Sequence, residues 1–472
     1  MNINLPTVGP IVGYTGTDHT RLFLRGELER DSSGFRRCFG VVRWREAGKQ
    51  QWSAPMFNKL SPNFDMTGVF ALTALKASTV YEYQAGWFYA EADLENIEHI
   101  GENLLVWPAQ RDDFPMTFKT ATVATRVSRN YIVGSCRYLL RLFGGAWYDD
   151  RGDKVFRSVI EQIENNQAVD ALLMIGDQIY ADDLNFLAPD TRLDQFLERY
   201  RTVFSQNNVQ RLMARVPTYM ILDDHEIEDN WPAHADTQDR ITLYPNAIHA
   251  YQIYQSSHSP LFAANQQGRI QGTLPHFWYS FVDGCAKWFV MDSRTERDLS
   301  VSPPRMVSEI QLRALLDWLD EDDTRVKFVV TSVPLFPDLL NDADDKWGGF
   351  SGQREQIIEH IRNRRIKKVV FVSGDVHCSF VSKLTLDTDP DFRVHSIVSS
   401  SFFWPYPHMN RNEFAFDVSL TGIQGHNYQT TLLSDVYSDD NFARLKCSLG
   451  TIDVSFFERK GSLLGNVTTI TP

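Results

Sequence analysis

Between Thr20 and about Thr122 apolar and polar residues alternate in short runs, TRLFLRGEL, CFGVVRW, NFDMTGVFAL, TVYEYQAGWFY and MTFKTAT, separated by turn-forming or polar stretches. That period predicts β-strands and no helix. After Tyr131 the pattern changes. Continuous apolar runs, YIVGS, ALLMIGD, TYMILDD, VKFVVTSV and KKVVFVSGD, alternate with stretches of helical period over Asp153 to Asn165, Asp194 to Phe204, Ser308 to Leu319 and Gln353 to Arg364. Alternation of buried strands with helices predicts an α/β sheet. The segment HFWYSFVDGCAKWFVMDSR reads as a hairpin, which makes that sheet mixed rather than purely parallel. CSLGTIDVSFFER and LGNVTTIT read as another hairpin, and no internal repeat or low-complexity tract interrupts the pattern.

A chain of 472 residues exceeds what one hydrophobic core usually serves. The change of pattern divides it into an N-terminal β-sandwich over 1–125 and a larger domain over 126–472. The fold expected is thus α/β, a mixed β-sheet sandwich core with helices, preceded by a small all-β domain. Leu75, Ala77, Thr79 and Tyr81 resemble the tyrosine-corner segment of fibronectin- and immunoglobulin-like sandwiches, and MTFKTAT resembles their last strand entering a linker. With 43% hydrophobic and 23% charged residues, disorder is excluded as the default.

The formal charge of -13 argues against nucleic acid or an anionic membrane as partner, so a phosphate substrate would need local positive charge. Bound metal ions supply such charge where carboxylates gather. Met1 to Pro10 lacks the basic start and apolar run of a secretory signal, and no stretch approaches membrane-spanning length. Cys38, Cys136, Cys285, Cys378 and Cys447 are odd in number and scattered, which is no disulfide framework. A cytoplasmic location is expected for the chain as sequenced, with an exported mature form as the alternative.

Four of the five core strands end in potential ligands: GSCRY with Cys136 and Arg137, IGDQIY with Asp177 and Tyr180, LDDHEIEDN with Asp223 to Asn230, and SGDVH with Asp375 and His377. Ligand sites of open α/β sheets gather at such ends. Any one cluster is ordinary capping and turn chemistry. Four together exceed what capping explains, because carboxylates crowded at one sheet edge need cations to offset their burial. A set mixing thiolate, phenolate, carboxylate and imidazole suits Fe(III) beside a divalent, oxygen-loving ion. Zinc held by cysteines alone is disfavoured, since no CxxC pair exists.

The GSC, GDxxY, DDHE and SGDVH blocks, in that order, resemble the PhoD-like alkaline phosphatase and phosphodiesterase family of the calcineurin-like metallophosphatases, with a distant similarity to purple acid phosphatases. The resemblance runs over nearly the whole chain. It implies that Asp177 bridges two metals, that Tyr180 ligates Fe(III), and that Cys136 and His377 complete the iron site. Asp224, where many relatives have Asn, and Asp375, where many have the first His of GHxH, would serve the second ion, calcium in this family. Asp229 and Asn230 both match the region where a further calcium ligand lies, and the choice between them stays open. Thr331-Ser332-Val333-Pro334 departs from the wider pattern, where a metal-binding His is expected. With His377 as the one imidazole ligand, the second site is oxygen-rich, which favours calcium over zinc or manganese.

These residues imply hydrolysis of phosphate monoesters or diesters by a hydroxide held between two cations, at alkaline pH by family analogy. His225, beside a ligand but not itself one, would protonate the leaving group, oriented by Asp223 or Glu226. Arg137 is either a phosphoryl clamp or a salt-bridge partner, and Arg294 of MDSRTER, held by Asp292, would line the pocket. SFFWPYPH, Ser401 to His408, either packs over the cleft and selects apolar leaving groups or is core. The other four cysteines, His249, His258 and His276 read as structural or solvated, and the acidic stretch Asp338 to Asp345 as a solvated loop. One alternative is a phosphodiesterase or phosphotriesterase selective for aryl or lipid-like esters. Another is a binding protein whose sandwich meets a cell-surface or carbohydrate partner over a structural metal site. An unliganded His225 and an arginine next to a ligand argue for the enzyme.

Overall fold

The computed structural model describes the chain except residues 29, 32–33, 36, 91–103, 110–113, 140, 143–146, 184–188, 342, 421–422 and 424. Val8–Thr15, Thr20–Arg25 and Thr67–Leu72 form one antiparallel sheet; Met56–Leu60, Arg37–Glu46, Val80–Ala90 and Thr117–Lys119 form another. Leu22, Leu24 and Phe70 of the first share an apolar cluster with Val42, Tyr83 and Phe118 of the second, the packing of a sandwich. The Tyr81 hydroxyl accepts the Lys76 backbone N–H at 2.9 Å, closing the corner that the sequence suggested.

Val8–Thr15 escapes sequence reading because it does not alternate: nearly every residue of VGPIVGYT is buried. One face belongs to the sandwich and the other to the large domain, where Val8, Ile11 and Phe23 join the main core cluster. Gly13 allows that approach, since a Cβ there would stand 2.4 Å from the His258 carbonyl oxygen.

The rest of the chain is mixed α/β, built on two large sheets. In the first, Arg129–Gly134, Ala171–Ile175 and Thr218–Ile221 run parallel, continued antiparallel by Asn441–Cys447, Ile452–Glu458 and Leu463–Ile470. In the second, Ala286–Val290, Val326–Val330, Val369–Ser373 and Asp389–Val398 run parallel, flanked antiparallel by Tyr279–Asp283 at one edge and by Phe380–Leu386 and Tyr428–Leu432 at the other. Both expected hairpins are present. The sheets face one another across a single core: the Tyr131 ring lies 4.9 Å from Trp288 and that of Tyr219 3.8 Å from Phe281.

Helices Arg151–Glu164, Leu193–Phe204, Glu309–Asp320 and Ser351–Asn363 fall where the helical period placed them, within two residues at each end. Ser308 sets one start, its Oγ accepting the Gln311 N–H at 3.2 Å. Asn207–Met213 and Tyr244–Tyr254 were not expected; the latter buries six of its eleven residues and shows little amphipathic contrast. Among the described residues no helix is long and apolar enough to cross a membrane.

Candidate metal centre

The carboxyl ends of the parallel strands of both sheets meet, and their loops deliver the site. Cys136, Asp177, Asp375 and His377 have φ of 54°, 55°, 69° and 49°. Left-handed backbone at four non-glycine residues costs about 1–3 kcal/mol each and concentrates at functional sites. Gly176 precedes Asp177 at φ 120°, and a Cβ there would lie 2.7 Å from Asp223 Cβ, so the Asp177 and Asp223 loops touch only because it is glycine.

Glu226 ties those loops together. Fully buried, it accepts the N–H groups of Asp177 at 3.1 Å, Gln178 at 2.7 Å and Asp223 at 2.9 Å, and the Gln255 amide at 3.0 Å. Burial pushes its carboxyl up to about 7 against these hydrogen bonds. Neither Glu226 nor Asp223 orients His225, as the sequence suggested. That partner is Asp182, whose Oδ2 lies 2.7 Å from His225 Nδ1 and also accepts the Asp229 N–H at 2.8 Å.

In one corner the Cys136 thiol and the Tyr180 hydroxyl both point at Asp177 Oδ2, each at 3.3 Å. Asp177 Oδ1 is buried with no hydrogen-bond partner, as is His377 Nε2. Ser400 joins His377 to this corner: its Oγ accepts the His377 N–H at 3.0 Å and donates to Cys136 Sγ at 3.1 Å. Burial, reinforced by Asp177, pushes the Cys136 thiol and Tyr180 phenol well up. Burial with neighbouring cations pushes His377 well down, leaving a neutral imidazole. A thiol, a phenol and an orphaned carboxylate oxygen beside a neutral imidazole fit a trivalent cation, which would hold the first two deprotonated.

The other corner holds Asp223, Asp224 and Asp375, whose oxygens lie within 4.8 Å of one another; Asp177, Asp224 and His225 form a second such group. Asp223 Oδ2 and Asp224 Oδ1 are buried without hydrogen-bond partners. Here the protein contributes cations of its own. Arg294, fully buried, pairs with Asp223, donates to both Asp345 oxygens at 2.7 and 2.9 Å, and lies 3.6 Å from Asp224 and 3.8 Å from Asp375. Lys346 Nζ reaches Asp345 at 2.8 Å and Asp375 at 2.6 Å. Burial and the neighbouring carboxylates push Asp375 up to about 7 although Lys346 opposes them. Ser332, in the stretch where a histidine was expected, donates to Asp223 Oδ1 at 2.7 Å, so this wall carries a hydroxyl instead of an imidazole.

A cleft of about 390 Å³ opens over both corners, lined by Asp224, His225, Lys346, Asp375, His377 and Trp404 among others. Trp404 stacks on His377 at 3.7 Å, while Tyr406 and Met409 extend the wall outward. The SFFWPYPH segment therefore divides: Trp404 and Tyr406 face the cleft, and Phe402 and Phe403 are core. Burial opposes a charged His225 ring, yet Asp182, Asp224 and Asp177 together hold it well above its ordinary value.

The structure thus gathers Cys136, Asp177, Tyr180, Asp224, His225, Asp375 and His377 about one space, with Asp229 and Asn230 both on the rim. It does not bring Arg137 there. That guanidinium is buried beneath the Arg151–Glu164 helix, donating to the carbonyls of Gly152 at 3.3 Å and Val203 at 3.1 Å with Asp153 at 3.6 Å, which is the salt-bridge alternative. Arg294 backs the acidic corner instead of lining the cleft, and Asp292 accepts backbone N–H groups and Thr295 rather than its guanidinium. Asp345, the last residue of the stretch read as a solvated loop, is buried, as is Lys346 after it.

A family model described as PhoD-like phosphatase matches residues 140–427. Alkaline phosphatase D of Bacillus subtilis (strain 168) is 26% identical over 258 residues, which cover 47% of this chain and 43% of that relative, so the match spans less than half of its length. A solved structure of PhoD superposes with a TM-score of 0.69 at 15% identity, over 99% of this chain and 89% of that one. Purple acid phosphatase PPD1 from yellow lupin (Lupinus luteus) seeds superposes with a TM-score of 0.61 at 11% identity, over 99% and 74%. At these identities the two structures speak for the fold.

Proposed function

Because the chain belongs to the PhoD-like phosphatase family, we propose that its cleft hydrolyses phosphoric esters with two resident cations, Fe(III) held by Cys136, Asp177, Tyr180 and His377, and calcium held by Asp224 and Asp375. Asp177 stands between the two sites. The observation that carries this reading is the set of buried, unpartnered acceptors, Asp177 Oδ1, Asp223 Oδ2, Asp224 Oδ1 and His377 Nε2, around one open cleft. Four such atoms are costly in a folded protein unless a ligand completes them. When bound, the cations supply Lewis acidity that lowers the pKa of water and offsets charge on the phosphoryl oxygens.

The chain's own residues do the rest. Asp182 fixes the His225 ring through Nδ1, so that Nε2 is the atom left to give a proton to the departing alkoxide or phenoxide. His225 gathers that proton readily because three carboxylates favour its charged form. Trp404 and Tyr406 form an apolar wall that receives an aromatic or lipid-like leaving group, which favours aryl esters, monoester or diester, over small polar ones.

Hydrolysis of p-nitrophenyl phosphate and bis(p-nitrophenyl) phosphate tests the reading. The purified protein is expected to cleave at least one, to lose activity on chelation and to regain it with iron and calcium. Against an ester with a poor leaving group, His225→Ala should lose about 10²- to 10⁴-fold in kcat at unchanged metal content. Inert protein at full metal content would refute the hydrolase.

A further inference from the structure

Lys346 is a charged residue almost fully buried, at 5% exposure, which is costly unless its ammonium does something specific. Pairing with Asp345 does not account for it. Asp345 already takes two hydrogen bonds from Arg294 and a third from Arg297. Its Nζ also lies 2.6 Å from Asp375, and Asp375 is one of three carboxylates whose oxygens lie within 4.8 Å of one another. Two of that group, Asp223 and Asp224, keep a buried oxygen without a hydrogen-bond partner, the Asp224 one 3.6 Å from Arg294.

We infer that the Lys346 ammonium and the second-site cation compete for the Asp375 carboxylate, so that Lys346 sets how tightly that corner holds a divalent metal. The inference rests on the two-cation reading above. A divalent ion drawing Asp375 into its ligand set must share that carboxylate with Lys346, which holds Oδ2, and has an ammonium and the Arg294 guanidinium as close positive neighbours. Like charges at such separations in a low-dielectric pocket repel strongly. Among the described residues no lysine or arginine is ion-paired with Asp177 at the Cys136 and Tyr180 corner, where the nearby cation is the His225 ring. The two sites therefore differ in kind: one is permanently loaded, and the other exchanges its ion with the solution.

The experiment is a calorimetric titration of iron-loaded protein with calcium alone, on wild type, Lys346→Met, Lys346→Gln and Lys346→Arg. Removing the charge in the Met and Gln variants is expected to tighten calcium binding about tenfold or more, within the range usual for coupled sites. Lys346→Arg keeps the charge and should stay near wild type. Lys346→Gln, one atom shorter, keeps a hydrogen-bond donor, and carries the test if the Met variant does not fold. In an Asp375→Asn background the gain from removing Lys346 should shrink, as a double-mutant cycle requires for a shared partner. Equal calcium affinity in wild type and both neutral variants, with iron in place, would overturn the competition alone. Absence of both iron and calcium from every variant would overturn the two-cation reading and this inference with it.

Discussion

The two corners of the cleft are built from the same residue type, buried carboxylate, and satisfy it in opposite ways. Around Asp177 stand a thiol and a phenol, each 3.3 Å from Oδ2, and the His225 ring, while Oδ1 is left without a hydrogen-bond partner. Around Asp223, Asp224 and Asp375 stand Arg294 and Lys346, with Arg297 behind them on Asp345. The first corner leaves Asp177 Oδ1 and His377 Nε2 without hydrogen-bond partners, open to an external cation. The second is partly neutralised by the fold itself, which lets it exist without metal and weakens its claim on one. Arrangement of counter-charge, more than the count of carboxylates, therefore decides which part of such a site depends on metal.

The largest effect should follow from changing the residue between the corners. Asp177→Asn is expected to remove iron and to cost more hydrolysis than His225→Ala, beyond about 10⁴-fold. Yet the metal-free variant should be no less stable than metal-free wild type at pH 8, because burial and neighbouring carboxylates push Asp177 well up and an amide avoids that penalty. Chemical denaturation beside an activity assay checks both halves.

The second corner should answer in reverse. Arg294→Leu strips the shared cation from Asp223 and Asp345 and should destabilise the protein by about 3–5 kcal/mol, whether or not metal is present. Equal stability losses for Asp177→Asn and Arg294→Leu would erase the distinction between the corners.

A smaller effect is expected from pH. Asp375 and Glu226 are both pushed up to about 7, by burial first, so the folded protein holds their protons where the unfolded chain has released them. Folded values above unfolded ones mean that this stabilisation is complete below about pH 4 and is lost as pH rises through about 7. Metal-free protein should thus lose stability across that interval. Saturating calcium, by binding the ionised Asp375, should flatten the slope, and Glu226→Gln should remove the remainder.

Much of this was legible in the sequence where information is local. Strand and helix periods placed the parallel core, and the blocks at strand ends named the residues that the loops gather, because position at a strand's carboxyl end fixes where a loop residue goes. What escaped depends on distant pairing. Asp345 is buried because Arg294 and Arg297, some fifty residues earlier, meet it, so the polar run NDADDK read as solvent-facing. Adjacency also misled at Arg137: from the left-handed turn at Cys136 the thiol points at Asp177 and the next side chain lies beneath a helix. Asp182 left a signal, a carboxylate five residues beyond Asp177 in the same block, but only the fold shows that it reaches His225.

The most direct test of the metal centre is the visible absorption spectrum of freshly purified protein, read with its elemental iron content, for wild type and Tyr180→Phe. A Tyr180 phenolate and a Cys136 thiolate on Fe(III) predict a charge-transfer band in the wild type, diminished and shifted in the variant at equal iron. Colourless protein that stays free of iron after reconstitution would contradict the account.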